Sequence, residues 1–452
     1  MARDLTEGNC LKQILVFSIP LLIGNLLQQM YNLVDAAIVG RCLGTDALAA
    51  VGASSSVQFM VIGFCIGTSA GFGIPVAQRF GARDEKAMRS YIFHGILLTC
   101  VFAVAVTAIC ALLCADILQL LNTPEDIFKE AYAYLFVIFL GIPFTLLYNL
   151  EAALLRAVGD SRTPFLFLAV STVSNIILDI VCILGLNWGV AGAAFATIAS
   201  QALSSLLCFV FICKKQKTLH ISRADCRFDR NCCLSALGMA APMGLQFSIT
   251  AIGSMVMQTA NNGLGSVYVS GFTAGARLKQ FSLCPFDALA TAVCTFCGQN
   301  LGAKRFDRIR EGIRVGVLVA TVYGVLSGLM LIFGGRTLSM LFISSTQTAV
   351  LDASAKYLRY LGVMYWSLGL LNVFRLTIQG LGYSSRAVFA GAIEMVARMV
   401  VALVFVPRFG YTAICCGDQA AWVTAIIYLI PMCMYLVNKV ERQVCESYPT
   451  AS

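Results

Sequence analysis

The sequence predicts an all-α membrane protein with twelve transmembrane helices in two six-helix bundles. Hydrophobic residues make up 59% of the chain and charged residues only 12%, whereas a soluble domain carries about 25% charged residues. Apolar runs long enough to cross a bilayer, which takes about 20 residues each, recur along the chain, and its two halves share motifs. This composition excludes a cytosolic globular enzyme, a disordered chain and a DNA-binding module.

The twelve predicted spans follow the apolar runs. They lie at about 12–36, 47–78, 90–115, 131–153, 164–186, 189–213, 237–262, 267–297, 315–335, 357–380, 387–407 and 411–437.

The positive charge sets the predicted orientation. The net charge is +9, and Lys and Arg are concentrated in the two tails and the even-numbered loops. Basic side chains are retained on the cytoplasmic side of a membrane. We therefore expect both termini to be cytoplasmic, and we attribute the charge to topology, not to nucleic-acid binding.

Three motifs recur in the same order in both halves. They are Ala77–Arg83 against Gly298–Lys304, Val158–Ser161 against Leu381–Ser384, and Pro20 against Pro242. Six spans is an even number, so the second half enters the membrane in the same direction as the first. This predicts a pseudo-twofold axis along the membrane normal and a central cavity. Duplication alone does not establish transport.

The predicted domains follow from this repeat. Residues 1–213 form an N-lobe with spans 1 to 6, and residues 237–438 form a C-lobe with spans 7 to 12. A basic, polar linker at 214–236 joins the lobes, and 439–452 is a cytoplasmic tail.

A polar stripe runs along the first span. Asp35 follows Gly24, Gln28 and Tyr31 at helical spacings, so one face carries all four. Such a stripe cannot face lipid and is expected to line a cavity. Pro20 removes one backbone hydrogen bond, which permits a hinge in this helix or only a static kink.

Two further spans offer oxygen ligands at a similar depth. Asn175 and Asp179 lie one turn apart on span 5, and Thr197 lies on span 6. At about 1.5 Å per residue, these side chains and Asp35 all fall in the outer half of the N-lobe. Such oxygens suit a small hard cation. Two adjacent acids also disfavour each other's ionisation, so one can hold a proton near neutral pH. The prediction is a site for H+ or Na+; the alternative is a structural polar network.

The C-terminal half carries a different polar set. Glu394 and Arg398 are spaced as an intrahelical ion pair, and Arg277 lies inside span 8. With Gln28 and Tyr31, these residues are our candidates for lining the cavity or contacting substrate. We predict no metal site beyond Na+ at the acidic cluster, and no cofactor. The sequence contains no GxxxxGK[ST] and no HExxH, so an ion gradient is the expected energy source.

These features resemble the MATE (multidrug and toxic compound extrusion) transporters over essentially the whole chain. The resemblance rests on the repeat signatures, on Gly24–Asp35, which reads GNLLQQMYNLVD, and on Gly40–Gly44. It is strongest to the prokaryotic DNA-damage-inducible-like branch, whose cation site uses an Asp on helix 1, an Asn and Asp on helix 5 and a Thr on helix 6. Asp35, Asn175, Asp179 and Thr197 match that pattern, and Pro20 matches the proline associated with bending of helix 1.

The resemblance implies a secondary active antiporter, not an enzyme, in the cytoplasmic membrane of a prokaryote. It would export organic, amphiphilic and cationic compounds in exchange for H+ or Na+ by alternating access. Its expected partners are small organic substrates and the lipid bilayer, with no nucleic acid, and the expected state is a monomer. A flippase for a lipid-linked sugar or other lipid is the main alternative. A channel or membrane scaffold and an intramembrane enzyme are more distant ones.

Overall fold

The computed structural model describes residues 3–121, 123–223 and 225–447, and these are helical apart from short connections, with no β-strand. The predicted all-α fold is confirmed. Ten helices are each long and apolar enough to cross a membrane, and two bent helix pairs complete a set of twelve spans. The spans are α1 (Cys10–Cys42), α2 (Thr45–Gly81), α3 (Glu85–Leu112), α4 (Glu125–Leu140 and Ile142–Ala157), α5 (Arg162–Ile180, continued by Val181–Gly185), α6 (Gly189–Lys215), α7 (Arg230–Asn262), α8 (Ser266–Gly302), α9 (Phe306–Ser339), α10 (Thr348–Val363 and Tyr365–Gly380), α11 (Ser384–Val400, Val401–Phe405 and Val406–Phe409) and α12 (Tyr411–Ser447).

The two halves of the chain repeat the same irregularities. The fourth span of each half is broken, by 44° between Leu140 and Ile142 in α4 and by 55° between Val363 and Tyr365 in α10. The fifth span of each half contains a π-helical turn, at Val181–Gly185 in α5 and at Val401–Phe405 in α11. These shared breaks support the internal repeat that the motifs predict.

The repeated Gly-containing motif ends the fourth span in both halves. Gly159 and Gly382 have φ of 82° and 92°, in the left-handed region that favours glycine. At Gly159 a side chain is also excluded, because a β-carbon would lie 2.0 Å from the carbonyl oxygen of Arg3. The backbone conformation therefore explains the glycine of this motif in each half.

The chain divides into two compact units. Within the described residues, unit 1 comprises 3–4 and Ile23–Ser248, and unit 2 comprises Leu5–Leu22 and 249–447. The first parts of α1 and α7 therefore belong to a different unit from the rest of the same helix. The predicted lobes divide at other residues, between 213 and 237, and their boundaries stay a prediction.

Several helices extend further than the hydropathy pattern predicts, and two of them reach into the predicted linker and tail. α7 begins at Arg230, inside the predicted linker, and α12 continues to Ser447, through most of the predicted tail. Both extensions carry charged residues such as Arg230, Glu441 and Arg442, so a search for apolar runs stops short of them. The last part of that tail, 448–452, lies outside the described residues.

Close packing in unit 1 fixes the helices that carry the predicted cation ligands. The break in α4 brings Gly141 against α6, where a β-carbon would lie 2.3 Å from Cγ1 of Ile198. Hydroxyl groups join α5 to α6, since Ser171 donates to the carbonyl of Ser200 at 2.9 Å and Ser204 donates to that of Phe167 at 3.1 Å. These contacts hold α5 and α6 in register.

Candidate functional site: an acidic cluster in unit 1

The predicted acids meet in unit 1. Asp35 of α1 and Asp179, close to the end of the regular part of α5, lie within hydrogen-bonding reach of each other. Two ionised carboxylates cannot make that contact, because both only accept hydrogen bonds. Asp179 is fully buried and Asp35 is half-buried. The pair therefore needs a shared proton or a bound cation between its oxygens.

The other two predicted ligands lie beside this pair. Asn175 is 1% exposed and stands one turn before Asp179 on α5. Thr197 is buried on α6, and its hydroxyl makes a 2.9 Å hydrogen bond with that of Tyr31. Tyr31 also lies close enough to Asp35 and Asp179 to interact with both electrostatically. The cluster thus draws its oxygens from α1, α5 and α6.

Most oxygens of this cluster have no donor. Apart from the contact between the acids, no hydrogen-bond partner among the described residues reaches either carboxylate oxygen of Asp179, Oδ1 of Asp35, or either polar atom of Asn175. Among the described residues, no Lys or Arg forms an ion pair with Asp35 or Asp179. Buried polar groups are normally satisfied, so these atoms point to a ligand that supplies positive charge.

Two residues of this site are missing from the sequence-based set. Tyr134 of α4 is 4% exposed and lies near both acids and near Gln58 of α2. Gln58 follows Ser54–Ser56, and Tyr134 lies two residues after another tyrosine, Tyr132, so the sequence does not distinguish either residue from its polar neighbours. Gln58 of α2 and Tyr134 of α4 therefore lie around the acidic cluster, together with the residues of α1, α5 and α6.

The chemistry of the cluster favours a light hard cation. Carboxylate, amide and hydroxyl oxygens bind Na+ well, and the same carboxylates bind H+. No group of three or more His, Cys, Asp and Glu side chains within 3–121, 123–223 and 225–447 is placed to hold a metal ion. The π-helical turn begins two residues after Asp179, and such turns are frequent at functional sites.

The other residues that were predicted along α1 differ in their surroundings. Gly24 packs on α5, where a β-carbon would lie 3.5 Å from Leu168, so the predicted stripe faces α5 at this point. Gln28 is exposed and Tyr31 is half-buried. Pro20 is buried inside a continuous α1. A contact of these residues with substrate stays a prediction, and so does the hinge.

The C-terminal polar residues form ion pairs in unit 2. Glu394 is 2% exposed and Arg398 is 5% exposed, and their predicted i, i+4 pair is present at 3.7 Å. The sequence did not reveal that Arg375 of α10 also donates to Glu394. Arg277 is exposed on α8. Whether Glu394, Arg398 or Arg277 contacts substrate stays a prediction.

Asp418 of α12 extends this network. Its carboxylate accepts from Lys279 at 2.7 Å, from Tyr357 at 3.0 Å and from Arg398 at 3.3 Å. Glu394 and Asp418 therefore both have basic partners, in contrast to Asp35 and Asp179 of unit 1.

One segment matches the sequence pattern of a catalytic motif but does not have the structure that the motif requires. Gly67-Thr68-Ser69-Ala70-Gly71 reads GxSxG, the pattern of a nucleophile elbow, which requires a strand-to-helix turn. Here the segment lies inside α2, and the fully buried Ser69 donates to the carbonyl of Leu146 at 3.2 Å. The hydroxyl serves helix packing.

Comparison with known proteins identifies the family. A family model described as MatE matches residues 20–181 and 242–404, one match in each half of the chain. This protein belongs to the MATE family. The chain is 32% identical over 414 residues to the "Probable multidrug resistance protein YpnP" of Bacillus subtilis, covering 91% of this chain and 90% of that protein. It is 26% identical over 365 residues, 80% of each chain, to an "FAD transporter" of Shewanella oneidensis.

A solved MATE structure has the same fold. It is described as an outward-facing conformation of a multidrug resistance MATE family transporter, and it superimposes with a TM-score of 0.91 over 97% of this chain and 98% of that one, at 22% identity. The MATE chain described here is therefore a multi-pass membrane transporter with twelve helices in two six-helix bundles, and its relatives are transporters, not enzymes.

Proposed function

We propose that this MATE protein is a secondary active antiporter that exports organic, amphiphilic and cationic compounds in exchange for H+ or Na+. The coupling ion binds at Asp35, Asn175, Asp179 and Thr197 and is the only cofactor. The observation that carries the proposal is the adjacency of two acids in unit 1 without a basic partner among the described residues. A buried, uncompensated pair of this kind costs free energy unless a cation arrives from solution.

The orientation follows from the distribution of basic residues. With both termini cytoplasmic, the acidic cluster lies in the external half of unit 1 and receives its cation from outside. We propose the plasma membrane of a prokaryote as the location and a monomer as the working state. Drug-resistance relatives such as YpnP support organic compounds as substrates, and they do not favour the flippase alternative.

Coupling requires that the cation prefer one conformation over the other. We propose that cation binding at Asp35 changes the path of α1 near Pro20, and that this change accompanies alternating access. In support, α1 passes from unit 2 to unit 1 between Leu22 and Ile23, two residues after Pro20. The missing backbone donor at Pro20 leaves the carbonyl of Val16 without its helical partner, which lowers the cost of bending there.

Reconstituted transport tests the function. The full chain in liposomes is given a fluorescent organic cation, and Na+ and pH gradients are imposed separately. We expect one of the two gradients to drive efflux, and we expect Asp35→Asn to abolish that efflux while eluting from size-exclusion chromatography like the unmodified protein, because the amide cannot exchange a proton or balance a cation.

The matched control is Asp116→Asn, the same change at an exposed acid of unit 1, which should transport normally. Undiminished gradient-driven efflux by Asp35→Asn would contradict the proposed site. A conductance at channel rates would contradict the antiport mechanism itself.

A further inference from the structure

We infer that Glu151 is a second protonation site of unit 1, connected with the Asp35–Asp179 pair by a polar face of α6. The inference rests on the proposed function with H+ as the coupling ion, because a cycle coupled to Na+ has no use for a second proton acceptor. It gives the proton a route within one unit.

The surroundings of Glu151 make it a proton-exchanging group. It lies in the second part of α4, is 4% exposed, and its Oε2 accepts a 3.0 Å hydrogen bond from the hydroxyl of Ser205. Its Oε1 has no hydrogen-bond partner among the described residues. A carboxylate buried with a single donor is costly to keep ionised, whereas the neutral acid is tolerated. Oε1 is therefore the atom that is placed to take up a proton.

Few charged or titratable groups surround this acid. Tyr148 of the same helical segment and Cys208 of α6 interact with it electrostatically, and Arg156 acts on both of them. The neighbouring helices α2 and α3 contribute apolar side chains here, since Phe72 and Ile92 share a cluster with Leu150 and Leu154 of α4. The environment on those two sides is apolar.

A polar face of α6 leads from the acidic cluster to Glu151. Its side chains recur at helical spacings, so they share one side of the helix. They are Thr197, Ser200, Gln201, Ser204 and Ser205. The three serines are 1% to 3% exposed. The eight residue-to-residue steps from Thr197 to Ser205 span about 12 Å.

Contacts along this face join it to its neighbours. Tyr31 reaches Thr197 from the acidic cluster at 2.9 Å, and Ser200 donates to the carbonyl of Thr197 at 2.8 Å. Further along, Thr145 of α4 hydrogen bonds with Gln201, before Ser205 meets Glu151. The hydroxyl groups of Thr197, Ser200 and Ser204 donate to backbone carbonyls in this structure. Proton movement along the face therefore requires these hydroxyl groups to rotate and donate to one another or to bridging water.

The proton step balances without a co-reactant. An O–H bond breaks at the Asp35–Asp179 pair, which becomes fully ionised, and an O–H bond forms at Oε1 of Glu151, while Ser205 continues to donate to Oε2. The acid pair is then free for its next cation, and Glu151 holds the proton about six residues, or about 9 Å, from the end of α4.

The acid is specific to unit 1. Val158 and Leu381 occupy equivalent positions in the repeat. The residue seven positions earlier is Glu151 in the first half and Phe374 in the second, so unit 2 carries an apolar side chain at this place. A requirement of helix packing alone would not need an acid here.

Transport assays on the full chain in liposomes test the inference. Glu151→Gln preserves size, and its amide oxygen can still accept from Ser205. We expect this variant to lose efflux driven by a pH gradient but to keep substrate exchange without a gradient at the normal rate. The control is Glu130→Gln, the same change at an exposed position in the first part of α4, which should keep both activities.

The outcomes separate the inference from the proposed function. Normal pH-driven efflux by Glu151→Gln overturns the inference and leaves the antiporter intact. Efflux of the unmodified protein that responds to Na+ alone also overturns it. Absence of efflux under either gradient in the unmodified protein overturns the proposed function as well.

Infrared spectroscopy gives a readout independent of transport. In pH-difference spectra we expect the carbonyl band of one protonated carboxyl group to be absent from Glu151→Gln and present in Glu130→Gln. Should Glu151→Gln fail to fold, Ser205→Ala removes the hydrogen bond to Oε2 and should move the pH midpoint of that band. Unchanged spectra in the variant that folds would overturn the inference.

Discussion

The acidic cluster of unit 1 and the ion-pair network of unit 2 show two ways of burying charge in one repeated architecture. Both lie just before the π-helical turn of the fifth span of their half, with Asp179 on α5 and Arg398 on α11. In unit 2 the two acids of the network, Glu394 and Asp418, each have basic partners. In unit 1 the described residues supply none to Asp35 and Asp179. The acids of the unit 2 network are compensated by basic residues, whereas we propose that the acids of the unit 1 cluster are compensated by a bound cation.

This comparison predicts opposite effects of the same substitution. Asp418→Asn leaves Lys279 and Arg398 without the charge that they share, and breaking a buried pair costs about 3–5 kcal/mol of the free energy of unfolding. Asp179→Asn removes no ion pair, so its free energy of unfolding should equal or exceed that of the unmodified protein.

Denaturant unfolding in mixed micelles measures both variants. The comparison between the units fails if Asp179→Asn is destabilised as much as Asp418→Asn, because the acids of unit 1 would then have a basic partner in the folded protein.

A smaller effect is expected at the edge of the acidic cluster. Tyr31→Phe removes the 2.9 Å hydrogen bond to Thr197, which contributes about 0.5–1.5 kcal/mol. If the hydroxyl supports the cation site, the cation concentration for half-maximal efflux rises by up to about tenfold, while the maximal rate is retained. Transport rates over a series of cation concentrations measure this, and Tyr360→Phe, at an exposed tyrosine of unit 2, is the control. An unchanged half-maximal concentration would show that the hydrogen bond is only structural.

The sequence predicted most of the fold because long apolar runs determine where helices cross a membrane. It did not predict the breaks near Gly141 and Met364, since both lie inside continuous apolar runs. It also missed the start of α7 at Arg230, because charged helix ends extend beyond the apolar part.

The candidate site was predictable where a helical spacing marked it. Asp35 and Tyr31 share a stripe, and Asn175 and Asp179 are one turn apart. Tyr134 has no such marker, because the sequence does not distinguish it from Tyr132, two residues earlier in the same span. The pairing of Arg375 with Glu394 joins different helices, and only the packing of α10 on α11 reveals it.

Cation-dependent stability of the purified protein tests the central claim most directly, because a ligand that binds the folded state raises its unfolding temperature. The unfolding temperature is measured over a Na+ series at fixed pH and over a pH series without Na+. We predict that one of these cations stabilises the unmodified protein, that Asp35→Asn and Asp179→Asn lose this stabilisation, and that Asp418→Asn keeps it despite its lower stability. Full cation stabilisation in both Asp35→Asn and Asp179→Asn would contradict the account.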